Sequence, residues 1–157
     1  MESIGMMGLI ISGAVSFASV FLGLGGEDIV MNIIKALGLG PLGVVAFAVA
    51  IVFILGMLID WVGILYICLP VFIPLVKKMN IEPLWFALTL CVTLQTAWLT
   101  PPFGFSLFFL RSIVPNEIPF WSIIKGCLPF VGLQVLGITL LLFFPQIILF
   151  LPNLIWP

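Results

Sequence analysis

QTAWLTPPFGF, Gln95 to Phe105, is the stretch that decides how this chain folds. It lies inside an apolar segment from Leu84 to Leu110, long enough to cross a bilayer at about 20 residues per span. Two successive prolines interrupt that segment. Proline has no N–H for the carbonyl four residues back, so Pro101 deprives Ala97 of its helical partner and Pro102 deprives Trp98. Each proline also drives the residue before it out of helical dihedrals, which makes the interruption an unwound stretch rather than a gentle kink. Unpaired carbonyls in hydrocarbon cost several kcal/mol, so such backbone persists where protein, water or an ion satisfies it. The expectation is a helix broken at a binding site.

Such a break has two chemically distinct ends. The C-terminal end of Leu84–Trp98 gathers carbonyl oxygens that suit a hard cation, and the N-terminal end near Phe103 to Phe105 presents N–H groups to an anion. Thr100 adds a hydroxyl, Gly104 permits close backbone approach, and Gln95 and Thr96 bring an amide and a hydroxyl one turn back. The competing reading is a structural kink repaired locally, since many membrane helices tolerate proline.

Composition sets the class. Of 157 residues, 64% are hydrophobic and 7% charged, with a mean hydropathy of +1.44, against about 25% charged in a soluble domain. This is an all-α integral membrane composition. A net charge of −1 argues against a nucleic-acid partner, which needs a basic face. Histidine is absent, which removes Ser-His-Asp catalysis, His-ligated metals and histidine proton relays. No paired acids and no nucleophile with a base appear either, so the chain does not read as an enzyme, and no cofactor is expected. Cys68, Cys91 and Cys127 are widely spaced in apolar runs and read as small core residues. The N-terminus lacks a basic n-region and a small-residue cleavage site, so its first apolar run reads as retained rather than as a signal peptide.

Along the chain, Met6 to Leu22 reads as a first membrane helix whose Gly8, Ser12, Gly13, Ala14, Ser16, Ala18 and Ser19 offer a close-packing surface. It stops at Gly23–Gly26. Glu27 to Leu37 is amphipathic and suits a short connecting helix at the interface. Pro41 to Val76 holds 36 residues and one charge, Asp60. As one straight helix it would extend roughly 54 Å, far beyond the roughly 30 Å of hydrocarbon, so it must fold back or break, with two arms meeting near Gly56 to Asp60. A re-entrant hairpin is the favoured reading. An ordinary span ending at Asp60-Trp61, with the indole as an interfacial anchor, is the alternative. Asp60 is an intramembrane acid, a candidate either to hold a cation or to cap the hairpin tip. Lys77 to Glu82 form a polar turn, Arg111 to Lys125 read as an aqueous loop, and Gly126 to Leu151 reads as a final spanning helix. Arg111 either attracts anions at a cavity mouth or snorkels, and Phe105, Phe108 and Phe109 read as lipid contact or packing. The division is then 1–40, a scaffold helix and connecting helix; 41–78, the hairpin; 79–112, the broken helix; and 113–157, a loop and C-terminal span.

Several stretches resemble one family: GLGG (Gly23 to Gly26), LGMLIDWVGILYICLPVFIP (Leu55 to Pro74), PLWF (Pro83 to Phe86), LQTAWLTPPFGFSLFFLR (Leu94 to Arg111), LPFVGLQ (Leu128 to Gln134) and FPQIILFLP (Phe144 to Pro152). They are similar to the large membrane subunit, the DctM family, of tripartite ATP-independent periplasmic (TRAP) transporters. The resemblance implies an elevator-type, sodium-coupled symporter of organic acids in the bacterial inner membrane, built from two inverted halves that each carry a hairpin and a broken helix. It implies that Leu42 to Val76 is the second hairpin. It also implies a second sodium site on Gly56, Ala97, Thr100 and Phe103, mostly through main-chain oxygens, with Asp60, Gln95, Thr96, Pro101, Pro102 and Gly104 as substrate or supporting residues. Ala97-Trp98 stands where the family pattern suggests Ser-Phe. The implied partners are the N-terminal remainder of the permease, a small TRAP membrane subunit, a periplasmic substrate-binding protein, an organic acid and the lipid bilayer. By length the chain resembles the C-terminal third of such a permease and is not expected to transport alone. The alternatives are another elevator-type ion-coupled symporter with the same hairpin plan and a non-transporting membrane scaffold.

Overall fold

The computed structural model describes residues 2–102, 104–115 and 117–155, and among these every regular element is an α-helix. Among the described residues, three helices are long and apolar enough to cross a membrane: α1 (Glu2–Gly23), α4 (Trp61–Lys78) and α7 (Phe120–Phe143). Shorter ones lie between and after them: α2 (Gly26–Ala36), α3 (Pro41–Gly56), α5 (Pro83–Trp98), α6 (Phe105–Ile113) and α8 (Gln146–Ile155).

The stop after α1 falls where the glycines place it. Gly25 adopts φ +79°, a left-handed value that a Cβ would penalise. α2 then runs as an amphipathic helix with Ile34 buried and Glu27 exposed enough to pair with Lys78 of α4, Oε1 to Nζ 2.5 Å. The chain turns by 119° between α2 and α3, so α2 is an arm set across the helix it feeds. α3 starts with Pro41 in its first turn, the one helical position that loses nothing by lacking an N–H. α4 begins on Asp60, whose Oδ2 accepts the Val62 N–H at 3.2 Å, and it continues through Pro70 and Pro74 to Lys78. The 36-residue apolar run is therefore two helices joined by residues 57–60, as its length required.

The core sits where α3, α4 and α5 meet. Val44, Val45, Ala48 and Val52 of α3 pack with Ile64, Cys68, Phe72 and Leu75 of α4 and with Trp85, Phe86, Leu90 and Leu94 of α5. α3 lies along α5, and α1 lies along α4. Of the small residues expected to line α1, Ala14 and Ala18 are buried. Ser12, Ser16 and Ser19 are exposed, and each returns its hydroxyl to the carbonyl four residues back at 2.7–2.8 Å. Polar hydroxyls on an apolar face are thereby satisfied within their own helix.

Two expectations for the C-terminal part are corrected. The segment between α6 and α7 is residues 114–119, not Arg111 to Lys125, because α6 continues to Ile113 and α7 starts at Phe120. The final helix does not run from Gly126 to Leu151. α7 ends at Phe143, the chain breaks at Phe144-Pro145, and Pro152 lies inside α8 rather than closing a span. The physical reason lies partly in α5. Pro145 has no N–H for the Leu141 carbonyl, and the Trp85 indole Nε1–H donates to that oxygen at 2.7 Å. A side chain 56 residues away supplies the missing donor and ties α5 to the end of α7.

Candidate functional site

The break after α5 is organised by threonines. Thr89, Thr93, Thr96 and Thr100 each donate a hydroxyl to the carbonyl four residues back, at 2.7, 2.8, 3.2 and 2.8 Å. The first three are fully buried. At the end of the helix the amide pattern tightens: the Leu99 N–H goes to the Thr96 carbonyl at 3.2 Å, and the Thr100 N–H goes to the Ala97 carbonyl at 3.1 Å. Such three-residue bonds are the usual way a helix end closes on its orphan acceptors. The Ala97 carbonyl thus loses its partner to Pro101, as the sequence dictates, and regains one from Thr100. It keeps a second lone pair, and so does the Thr100 hydroxyl, whose proton is committed to Thr96. The Pro101–Pro102 peptide is cis, and α6 restarts behind Gly104, which is buried with φ +44°.

The hairpin end comes to this break. Gly56, the last residue of α3, is buried so closely against α5 that an added Cβ would stand 2.6 Å from the Ala97 Cβ, with Leu94 Cδ2 at 3.6 Å and Ile64 Cδ1 at 3.7 Å. Only glycine admits that approach. At the turn the Leu55 carbonyl accepts both the Leu58 and Ile59 amides, at 2.9 and 2.8 Å, while no amide among the described residues donates to the Gly56 carbonyl. Gly56 and Ala97 are therefore in contact, and Thr100 follows three residues after Ala97 with its N–H on the Ala97 carbonyl. Phe103, the fourth residue of the expected sodium set, lies outside the described residues. Among the described residues no three Cys, Asp or Glu side chains gather to hold a metal. An ion at this place would take neutral oxygens, which suits a hard monovalent cation better than a transition metal.

Beside the break is a cavity of about 300 Å³, lined by Asp60 and Trp61 from the hairpin, Trp98 from the end of α5, and Ser106 and Phe109 from α6. The two indoles meet edge-on, centroids 6.4 Å apart and planes at 67°. Of the described candidate site residues read from sequence, only Asp60 lines this space, and it also caps α4. Thr96 is fully buried on the core side of α5, Gln95 is exposed, and Pro101 and Pro102 are partly and largely exposed. Arg111 is turned away, donating through Nη1 to the Ile118 carbonyl at 2.6 Å and closing the 114–119 loop. Trp61, Ser106 and Phe109 were not legible as lining. The pairing of an acid with an adjacent tryptophan at 60–61 was the available signal.

A family model described as the tripartite ATP-independent periplasmic transporter, DctM component, matches residues 1–147. The chain belongs to the DctM family. It is 32% identical over 149 residues to the ectoine/5-hydroxyectoine TRAP transporter large permease protein of Ruegeria pomeroyi, covering 94% of this chain and 32% of that one. It is 32% identical over 128 residues to the sialic acid TRAP transporter permease protein of Haemophilus influenzae, covering 82% of this chain and 20% of that one. Against the C4-dicarboxylate TRAP transporter large permease protein of Vibrio cholerae it is 25% identical over 118 residues, 75% of this chain and 26% of that one. The chain thus spans about a fifth to a third of the length of these relatives. It is a multi-pass protein of the inner membrane, and the relatives named here are transport permeases rather than enzymes.

Proposed function

We propose that this DctM chain forms the C-terminal part of the large permease of a sodium-coupled secondary transporter that imports organic acids. The observation that supports the reading is the seating of Gly56 against Ala97, which sets the end of α3 against the helix that stops before Pro101-Pro102. In a membrane such an arrangement is costly unless an ion or a polar ligand uses it. In this reading residues 41–78 are a re-entrant hairpin, 79–112 the broken helix of the same moving unit, and 1–40 and 113–157 the framework and arm around it.

Sodium would be held by the carbonyls of Gly56 and Ala97 and by Thr100 Oγ1, with Phe103 a further expected ligand. Binding there would pull the hairpin end and the helix break together, because the ligands come from both. The cavity beside them would take the substrate, and closing the hairpin over it would commit the ligand to movement across the membrane. The named relatives carry sialic acid, ectoines and C4-dicarboxylates, all carboxylic acids, and the same class is proposed here. The remaining partners would be the N-terminal part of the permease, a small membrane subunit and a periplasmic binding protein.

The test is reconstitution of the chain with an N-terminal permease segment, a small subunit and a ligand-loaded binding protein. Uptake of labelled carboxylate that follows an inward sodium gradient and stops when the gradient is collapsed supports the reading. A membrane scaffold gives no uptake, and a symporter coupled to another ion gives uptake indifferent to sodium.

A further inference from the structure

The cavity beside the helix break has a lining unlike that of an anion pocket. Its charged group is a carboxylate, Asp60; its largest walls are two indoles; and no lysine or arginine is among the described residues that line it. Asp60 Oδ2 spends one acceptor position on the Val62 N–H, leaving the rest of the carboxylate free to face the cavity. Trp61 and Trp98 stand at 67° to one another, two walls of an incomplete box. A ring face attracts a cation through its quadrupole, tryptophan most strongly, and boxes of this kind recognise substituted ammonium groups. A ligand carrying only negative charge would meet Asp60 with no counter-charge in the lining. Ser106 supplies a hydroxyl from the first turn of α6 that can donate to a carboxylate.

We propose that this cavity selects zwitterions, small organic acids that also carry a substituted ammonium or amidinium charge, with the cation held between Asp60, Trp61 and Trp98 and the carboxylate directed to Ser106. The proposal rests on the reading that this cavity is the substrate site. It narrows organic acids to one charge class. The determinants are Trp61 and Trp98.

A matched pair of ligands isolates the charge. Glycine betaine and 3,3-dimethylbutyrate have nearly the same shape and the same carboxylate, and differ by a quaternary nitrogen in place of a quaternary carbon. Calorimetric titration of the 157-residue chain in lipid nanodiscs with each, in sodium buffer, is expected to show betaine binding about tenfold tighter or more. Trp98→Ala is expected to reduce the preference to within about twofold, and Trp98→Phe, which keeps a weaker ring face and the packing, to leave an intermediate value. Asp60→Asn, which keeps the helix cap and removes the charge, should lower betaine affinity and raise that of 3,3-dimethylbutyrate. Equal affinities, or tighter binding of 3,3-dimethylbutyrate, would overturn the zwitterion assignment and leave the substrate-site reading standing. Failure of both to bind would overturn the two together.

Discussion

Gly56→Ala probes the contact on which the site depends. The perturbation adds one methyl group whose carbon would stand 2.6 Å from the Ala97 Cβ, against 3.4–4 Å for ordinary contact. The neighbour cannot yield by rotating, because a Cβ is fixed to its backbone, so α3 and α5 must separate by roughly 1 Å. Overpacking of this kind costs about 1–3 kcal/mol. An opposing effect acts at the same position, since alanine is preferred over glycine in a helix by about 1 kcal/mol. The single variant is therefore expected to be destabilised by only about 0–2 kcal/mol. Ala97→Gly alone relieves nothing and weakens α5 by about 1 kcal/mol. In the double variant the methyl group has changed sides and the close approach is restored. Intrinsic propensities cancel in a double-mutant cycle, which should report a coupling of about 1–3 kcal/mol in favour of the pair. The assay is reversible unfolding in mixed detergent micelles followed by circular dichroism. A coupling within about 0.5 kcal/mol of zero would refute the packing of Gly56 on Ala97.

Three further outcomes follow from other contacts. Trp85→Phe removes the donor that serves the Leu141 carbonyl, left without its helical partner by Pro145, and should destabilise the fold by about 1–3 kcal/mol in the same unfolding assay; an unchanged midpoint would mean the oxygen finds another donor. Asp60→Ala should cost about 1 kcal/mol through loss of the α4 cap, whereas Asp60→Asn should be nearly neutral for stability; equal losses from both would point to charge rather than capping. Lys78→Ala should leave the thermal midpoint nearly unchanged, because the pair with Glu27 is exposed and screened by salt; a large salt-sensitive drop would show that the α2 arm is held by that ion pair.

The division of residues 41–76 into two helices was legible because chain length alone forbids 36 apolar residues from forming one span, and the stop after α5 because two prolines remove two donors at known positions. Gly56 gave no local sign of its partner: a buried glycine at a helix end and one in a turn read alike until Ala97 is placed beside it. The end of α7 was misjudged because Pro145 and Pro152 are equal as punctuation in sequence. Pro145 ends the helix while Trp85 serves the carbonyl it orphans, and Pro152 is absorbed within α8. The cavity stayed hidden for a related reason, since Asp60 is far in the chain from Trp98 and Ser106 and only the folded structure gathers them. The proline argument was also incomplete at Ala97, where Thr100 restores a hydrogen bond that the spacing alone had counted as lost.

The proposal that neutral oxygens at the hairpin end and helix break hold sodium is tested most directly by equilibrium binding of radiolabelled sodium to the chain in nanodiscs, compared with Thr100→Val. That substitution keeps the shape of the side chain and removes its oxygen. Saturable sodium binding that potassium does not compete away, weakened about tenfold in the variant, is the expected result. Absence of saturable binding, or an affinity indifferent to the loss of the Thr100 hydroxyl, would contradict it.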